Sequence, residues 1–289
     1  MRFNFIVKFS LISLVCILIC SCNPFDNEKM KNKQIKIGQN IYSVDQVKKH
    51  LHDMFTRTSP AEEAIKDDIF GIWASIDNRV GYDLFVSADL DVDSIKQKVV
   101  DDMEYLSQLT GIDFFRANDL SETQMMIAVT SKYKFVKDID FIESVNKKDK
   151  ENFRFYQSLL SSLLDFTDVL LFKRNHKIDR VYQDSNKNKT NIYSLWCGYI
   201  LIKAETRVLD SLDAVIAAAL YSNMFSGDMQ SKNIQESVSS RVNEVSPHLY
   251  PFDDALIRLV YANPELSGMK VEKAVEIILE KLLIKYGLQ

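Results

Sequence analysis

Thiols and imidazoles are the side chains that react most readily near neutral pH, and this chain holds few of either. Its cysteines are Cys16, Cys20, Cys22 and Cys197; its histidines are His50, His52, His176 and His248. A helical zinc site needs two imidazoles one turn apart, as in His-Glu-x-x-His, so that both reach one ion. His50 and His52 stand two apart and leave a helix from different sides. The other two lie far along the chain. No histidine neighbours Cys197 in sequence, and a thiol within Leu195-Trp196-Cys197-Gly198-Tyr199 reads as a small buried hydrophobe.

The carboxylates offer no better constellation. Glu62 with Glu63, Asp101 with Asp102, and Asp253 with Asp254 are adjacent pairs that point apart on a helix, so they read as solvated faces. The run from Asp89 to Ser94 (DLDVDS) opens like a calcium loop. Its sixth position is Ser94 where the turn needs glycine, and its twelfth is Val100 where a bidentate glutamate belongs. Helix capping accounts for these aspartates. There is no glycine-rich phosphate loop, no Gly-x-Ser-x-Gly turn and no Cys-x-x-Cys. The residues therefore predict a protein that is not an enzyme and holds no metal and no cofactor.

The N-terminus carries a different chemistry. Arg2 and Lys8 precede an apolar stretch from Phe9 to Ile19 that is broken by Ser10 and Ser13. A transmembrane helix needs about 20 mostly apolar residues, so the pattern reads as an export signal. Ile19-Cys20-Ser21-Cys22 resembles the lipobox of bacterial lipoproteins. The resemblance implies cleavage between Ser21 and Cys22, acylation of Cys22, and attachment to the cell envelope membrane through that lipid. Cys20 departs from the small residue usual at its position. Asn23 is not the aspartate of an inner-membrane retention signal, so in a two-membrane cell the outer membrane is the expectation. With Cys16 and Cys20 removed and Cys22 acylated, Cys197 has no partner for an intramolecular disulfide.

These residues are positioned by a chain of 289 residues, 46% hydrophobic and 11% aromatic, with a formal charge of −4. Loss of residues 1–21, which hold Arg2 and Lys8 and no acid, makes that two units more negative. Nothing in this balance marks a nucleic-acid surface. The expected organisation is a signal over 1–21, a polar tether over 22–40, and a single α+β domain over 41–289. Ser43 caps a helix with Val44, Val47, Leu51 and Phe55 on one face. Strands are expected at 79–87, 112–117, 123–131 and 192–205, the last interior to a mixed sheet. Helices are expected over 93–110, within Val136–Arg174, and at 209–225, 251–266 and 270–287. Tyr182–Asn191 reads as a polar loop.

This order resembles the zincin metalloproteases, in which a twisted sheet carries a long helix and a second helix bears the zinc motif. "LTGIDF" (Leu109–Phe114) and "PFDDALIRLVY" (Pro251–Tyr261) agree locally. The sequence is more similar to a bacterial family of exported proteins, a domain of unknown function, with a zincin-like outline and a degraded zinc motif. "LVYANPELSGM" (Leu259–Met269) is the most specific agreement, and "ESV" (Glu236–Val238) stands for its middle part. The resemblance covers about 72–289. Setting Leu220 on the family's leucine puts Ala214, Val215 and Ala218 where a zincin carries His, Glu and His. The expectation is a lipid-anchored pseudo-zincin acting as a binding or assembly module for an envelope protein. An envelope hydrolase with an unrecognised site and a structural lipoprotein are the alternatives. Ala218 could lie in a packed core or in a vacated cleft, and the former is favoured.

Overall fold

The computed structural model describes residues 33–56, 69–73, 78–118, 122–131, 169–183, 189–204, 212–227, 231, 233–235, 237 and 249–288. The expected signal over 1–21, most of the tether, and the helix expected before residue 169 lie outside them.

The folded body starts earlier than the sequence suggests. β1 (Gln34–Ile37) and β2 (Asn40–Ser43) form an antiparallel hairpin across a two-residue turn. Gly38 takes φ +62° there, which a side chain would resist. Ile35 and Ile37 point inward and are buried, while Gln34 and Lys36 are exposed. The tether expectation over 22–40 is thus corrected at its end. Alternation of polar with only two apolar residues hid a strand that gains its stability from the body beneath. Ser43 then caps α1 (Val44–Phe55), its Oγ accepting from Gln46 N–H at 3.1 Å.

The main sheet has five strands in the order β4-β3-β5-β7-β6. β3 (Arg79–Val86) pairs parallel with both β4 (Asp113–Arg116) and β5 (Thr123–Thr130). β5 pairs parallel with β7 (Lys189–Lys203), and β7 pairs antiparallel with β6 (Val169–Gln183). The long apolar run is therefore interior, as expected. α2 (Val92–Thr110) supplies the crossover between β3 and β4 that parallel pairing requires. Asp91 caps it and Gly111, at φ +73°, stops it. Ile95, Val99, Met103 and Leu106 form its buried stripe.

Two expectations fail around β6. Val169–Arg174, read as the end of a helix, is strand, and strand continues through Gln183 and resumes at Lys189 inside the expected loop. "VLLF" fits either period, and the hairpin partner that decides between them lies about thirty residues away.

Helices cover one side of this sheet. α3 (Leu212–Ser222) is buried from Ala214 to Ser222. α4 (Pro251–Tyr261) and α5 (Val271–Tyr286) follow, and β8 (Gly287–Leu288) adds to β1, giving a second sheet ordered β2-β1-β8. Met125, Ile127 and Val129 of β5 share one core cluster with side chains from all five helices. The fold is α+β with one mixed and one antiparallel sheet.

A buried segment, 69–73, explains the "LVYANPELSGM" stretch. Phe70 N–H donates to Met269 O and Gly268 N–H to Phe70 O, each at 2.8 Å. Ile72 N–H donates to Ser267 Oγ and Trp73 N–H to Tyr261 Oη, each at 3.3 Å. Gly71 N–H donates to Ser226 Oγ at 2.7 Å, and Leu195 N–H to Ile72 O at 2.9 Å. Buried backbone polar groups need such partners. The stretch that carries the family resemblance acts here as a frame for a strap.

Candidate functional site

The three positions that would bear a zinc motif lie inside the protein. Ala214 is 1% exposed, Val215 0% and Ala218 7%. Val215 and Ala218 belong to the core cluster, and α3 packs against α2 and β7. A helix apolar all round is one enclosed on all sides. Nothing at these positions can ligate a metal or move a proton.

The histidines do not converge. His50 is fully buried on α1 with its ring edge-on to Phe252, centroids 5.3 Å apart. Burial pushes its pKa down to about 3. His52 lies on the solvent side, its Nδ1 3.4 Å from Thr56 Oγ1. His176 sits on β6, while His248, Ser21 and Cys22 lie outside the described residues. Among the described residues, no three His, Cys, Asp or Glu side chains gather as metal ligands.

Two of the carboxylate pairs need correction. Asp253 is buried, not solvated. Its Oδ1 accepts from Ser237 Oγ at 2.7 Å and its Oδ2 from Tyr250 N–H at 3.3 Å, so it anchors the start of α4. Asp102 is largely covered and bonds Lys98 at 2.6 Å, an i,i+4 pair on α2. Asp101 does face solvent and accepts from Gln97. Glu62 and Glu63 lie outside the described residues.

What the sequence did not indicate is a pair of depressions that meet. The first, about 430 Å³, is lined by Lys98, Asp101, Asp102, Tyr105 and Leu106 of α2, Ala217 and Leu220 of α3, and Leu249. The second, about 360 Å³, is lined by Ile37, Gly38, Leu249, Pro251, Asp254, Ala255, Arg258 and Tyr286. Leu249 borders both. Between them Tyr105 Oη donates to the Asp254 carboxylate at 2.7 and 2.8 Å. Partial burial, then the Asp254 hydrogen bond and charge, push the phenol up to about 12, with Arg258 opposing. Tyr105 is therefore a neutral donor at any physiological pH. Its place off the apolar stripe of α2 was legible; its partner, 149 residues away, was not.

Several polar groups here are already engaged: Lys98 with Asp102, Gln97 with Asp101, Tyr105 with Asp254. Such a site offers shape, an apolar floor (Leu106, Ala217, Leu220, Leu249) and a fixed polar rim. No protein-family model, curated protein or solved structure matches the chain, so the candidate site rests on its own geometry.

Proposed function

We propose that this is a lipid-anchored envelope protein whose body is a binding module without catalytic activity. The observation that carries the binding reading is the pair of neighbouring depressions that share Leu249, with their apolar floor and the Tyr105–Asp254 bond between them. The anchor reading rests on Ile19-Cys20-Ser21-Cys22. The zincin-like outline belongs to the same proposal. It is supported by a buried helix following the interior strand, with alanines and valine at the positions of the motif.

Cys22→Ala should abolish incorporation of labelled palmitate and leave a larger, uncleaved chain. Palmitate that persists in that variant, or follows Cys20 instead, contradicts the anchor. For the body, a photocrosslinking side chain at Leu249, which borders both depressions, should capture one defined envelope component in intact cells. The same group at exposed Asp213 on α3 should not. Equal capture from both positions, or none from Leu249, rejects the depressions as the binding surface.

A further inference from the structure

Among the described residues, large exposed apolar side chains are few and they are not scattered. They are Ile41 at 52%, Tyr105 at 36%, Ile284 at 79% and Leu288 at 40%. All but Tyr105 belong to the lobe built from the small sheet and the end of α5. Strand register places Lys36 opposite Ile41 and Gln34 opposite Leu288. Since Ile35 and Ile37 point inward, Lys36, Ile41, Gln34 and Leu288 share the outward face. Ile284 stands in the last turn of α5, four residues before Leu288.

This face is also basic. Lys36 is exposed on it, and Lys33 and Lys285, next to β1 and β8 in sequence, are exposed as well. From Lys29 through Ser43 the sequence holds Lys29, Lys31, Lys33 and Lys36 and no acidic residue, in a chain of formal charge −4. Asp45, in the first turn of α1, is the first acid to follow.

We propose that the outward face of the β2-β1-β8 sheet, with Ile284 beside it, rests on an anionic phospholipid bilayer. This inference rests on the anchor at Cys22. Residues 23–32 separate Cys22 from Lys33; they span about 35 Å fully stretched and about 17 Å as a flexible coil. A body of this size has a radius of gyration of about 18 Å. The leash is thus shorter than the body is wide, and the face bearing the first strand stays toward the membrane. Isolated Ile and Leu side chains enter the interface while lysines reach the phosphates around them. Each lysine close to an anionic surface strengthens the contact roughly fivefold.

The test uses the full-length protein purified in its membrane-processed form and placed in phosphatidylethanolamine vesicles containing brominated phosphatidylglycerol. Its N-terminal mass is measured on the same sample. The emission that a Trp at exposed Ile284 (Ile284→Trp) adds to that of Trp73 and Trp196 in the parent protein should fall by roughly half in the brominated lipid, as interfacial insertion requires. The emission added by Glu272→Trp, exposed about 18 Å away along α5, should not. Lys33→Glu with Lys36→Glu should remove most of the Ile284→Trp quenching. An acylated protein whose Ile284→Trp emission is unquenched overturns the membrane face and leaves the anchor standing. Quenching equal at both positions overturns it too. A protein without acyl mass removes the anchor and the inference together.

Discussion

Ala218→Glu should lower the melting temperature by about 10 °C or more, or prevent folding outright. Ala218 is 7% exposed, lies in the core cluster, and belongs to a helix held between α2 and β7. Enlarging such a position costs about 1–3 kcal/mol in forced repacking. A carboxylate without a buried partner adds several more, so the sum is about 4 kcal/mol or more, diagnostic of a core defect. In a domain this large each kcal/mol is worth about 2–4 °C. Ala214→His should behave similarly, since Ala214 is 1% exposed. If Ala214 and Ala218 instead faced an open cleft emptied of its ligands, both substitutions would leave the melting curve nearly unchanged. Thermal melts of the two variants beside the parent protein decide between packed helix and vacated site.

Acid should destabilise the body through His50. Its folded pKa is about 3 against an ordinary 6.5, and the cause is burial. Above pH 6.5 both folded and unfolded states are neutral at this ring, and His50 contributes no pH dependence. Below 6.5 the unfolded chain takes up a proton that the folded protein refuses. Stability therefore falls steadily until the pH approaches 3. Between pH 7 and pH 4.5 the loss from this group is about 2.5 kcal/mol. Carboxylates titrate in the same range, so the comparison must be with His50→Leu. That variant should lose about 2.5 kcal/mol less than the parent over this interval in urea melts. Parallel losses in the two proteins would mean that the ring accepts a proton while folded. The consequence is mechanical: His50 packs on Phe252, which packs on Tyr42, so the ring ties α1 and β2 to α4. Protonation would loosen the lobe nearest the proposed membrane face.

Much of the fold could be read locally. The Ser43 cap, the α2 stripe closed by Gly111, the interior β7 and the late helices each declare themselves within one or two turns of sequence. The failures share a physical cause. Gln34–Ile37 and Val169–Arg174 are strands because of partners elsewhere in the chain, Leu288 and β2 for the first and β7 for the second. Asp253 looked solvated because adjacent acids point apart on a helix; only the approach of Ser237 shows that it is enclosed. The candidate site was the least legible part. Its residues come from β1 and its turn, α2, α3, α4, α5 and Leu249, and no short spacing relates them. What the sequence did convey about α3 was the absence of ligands at 214, 215 and 218, and the enclosed environment of those residues accounts for that composition.

The central claim is that Cys22 ties a binding body to a membrane, and the mass of the N-terminal peptide from protein extracted out of the envelope tests it directly. The account expects a peptide that begins at Cys22 and carries acyl chains on that residue. A peptide that retains Ser21, or one that begins elsewhere with no lipid mass, would contradict it.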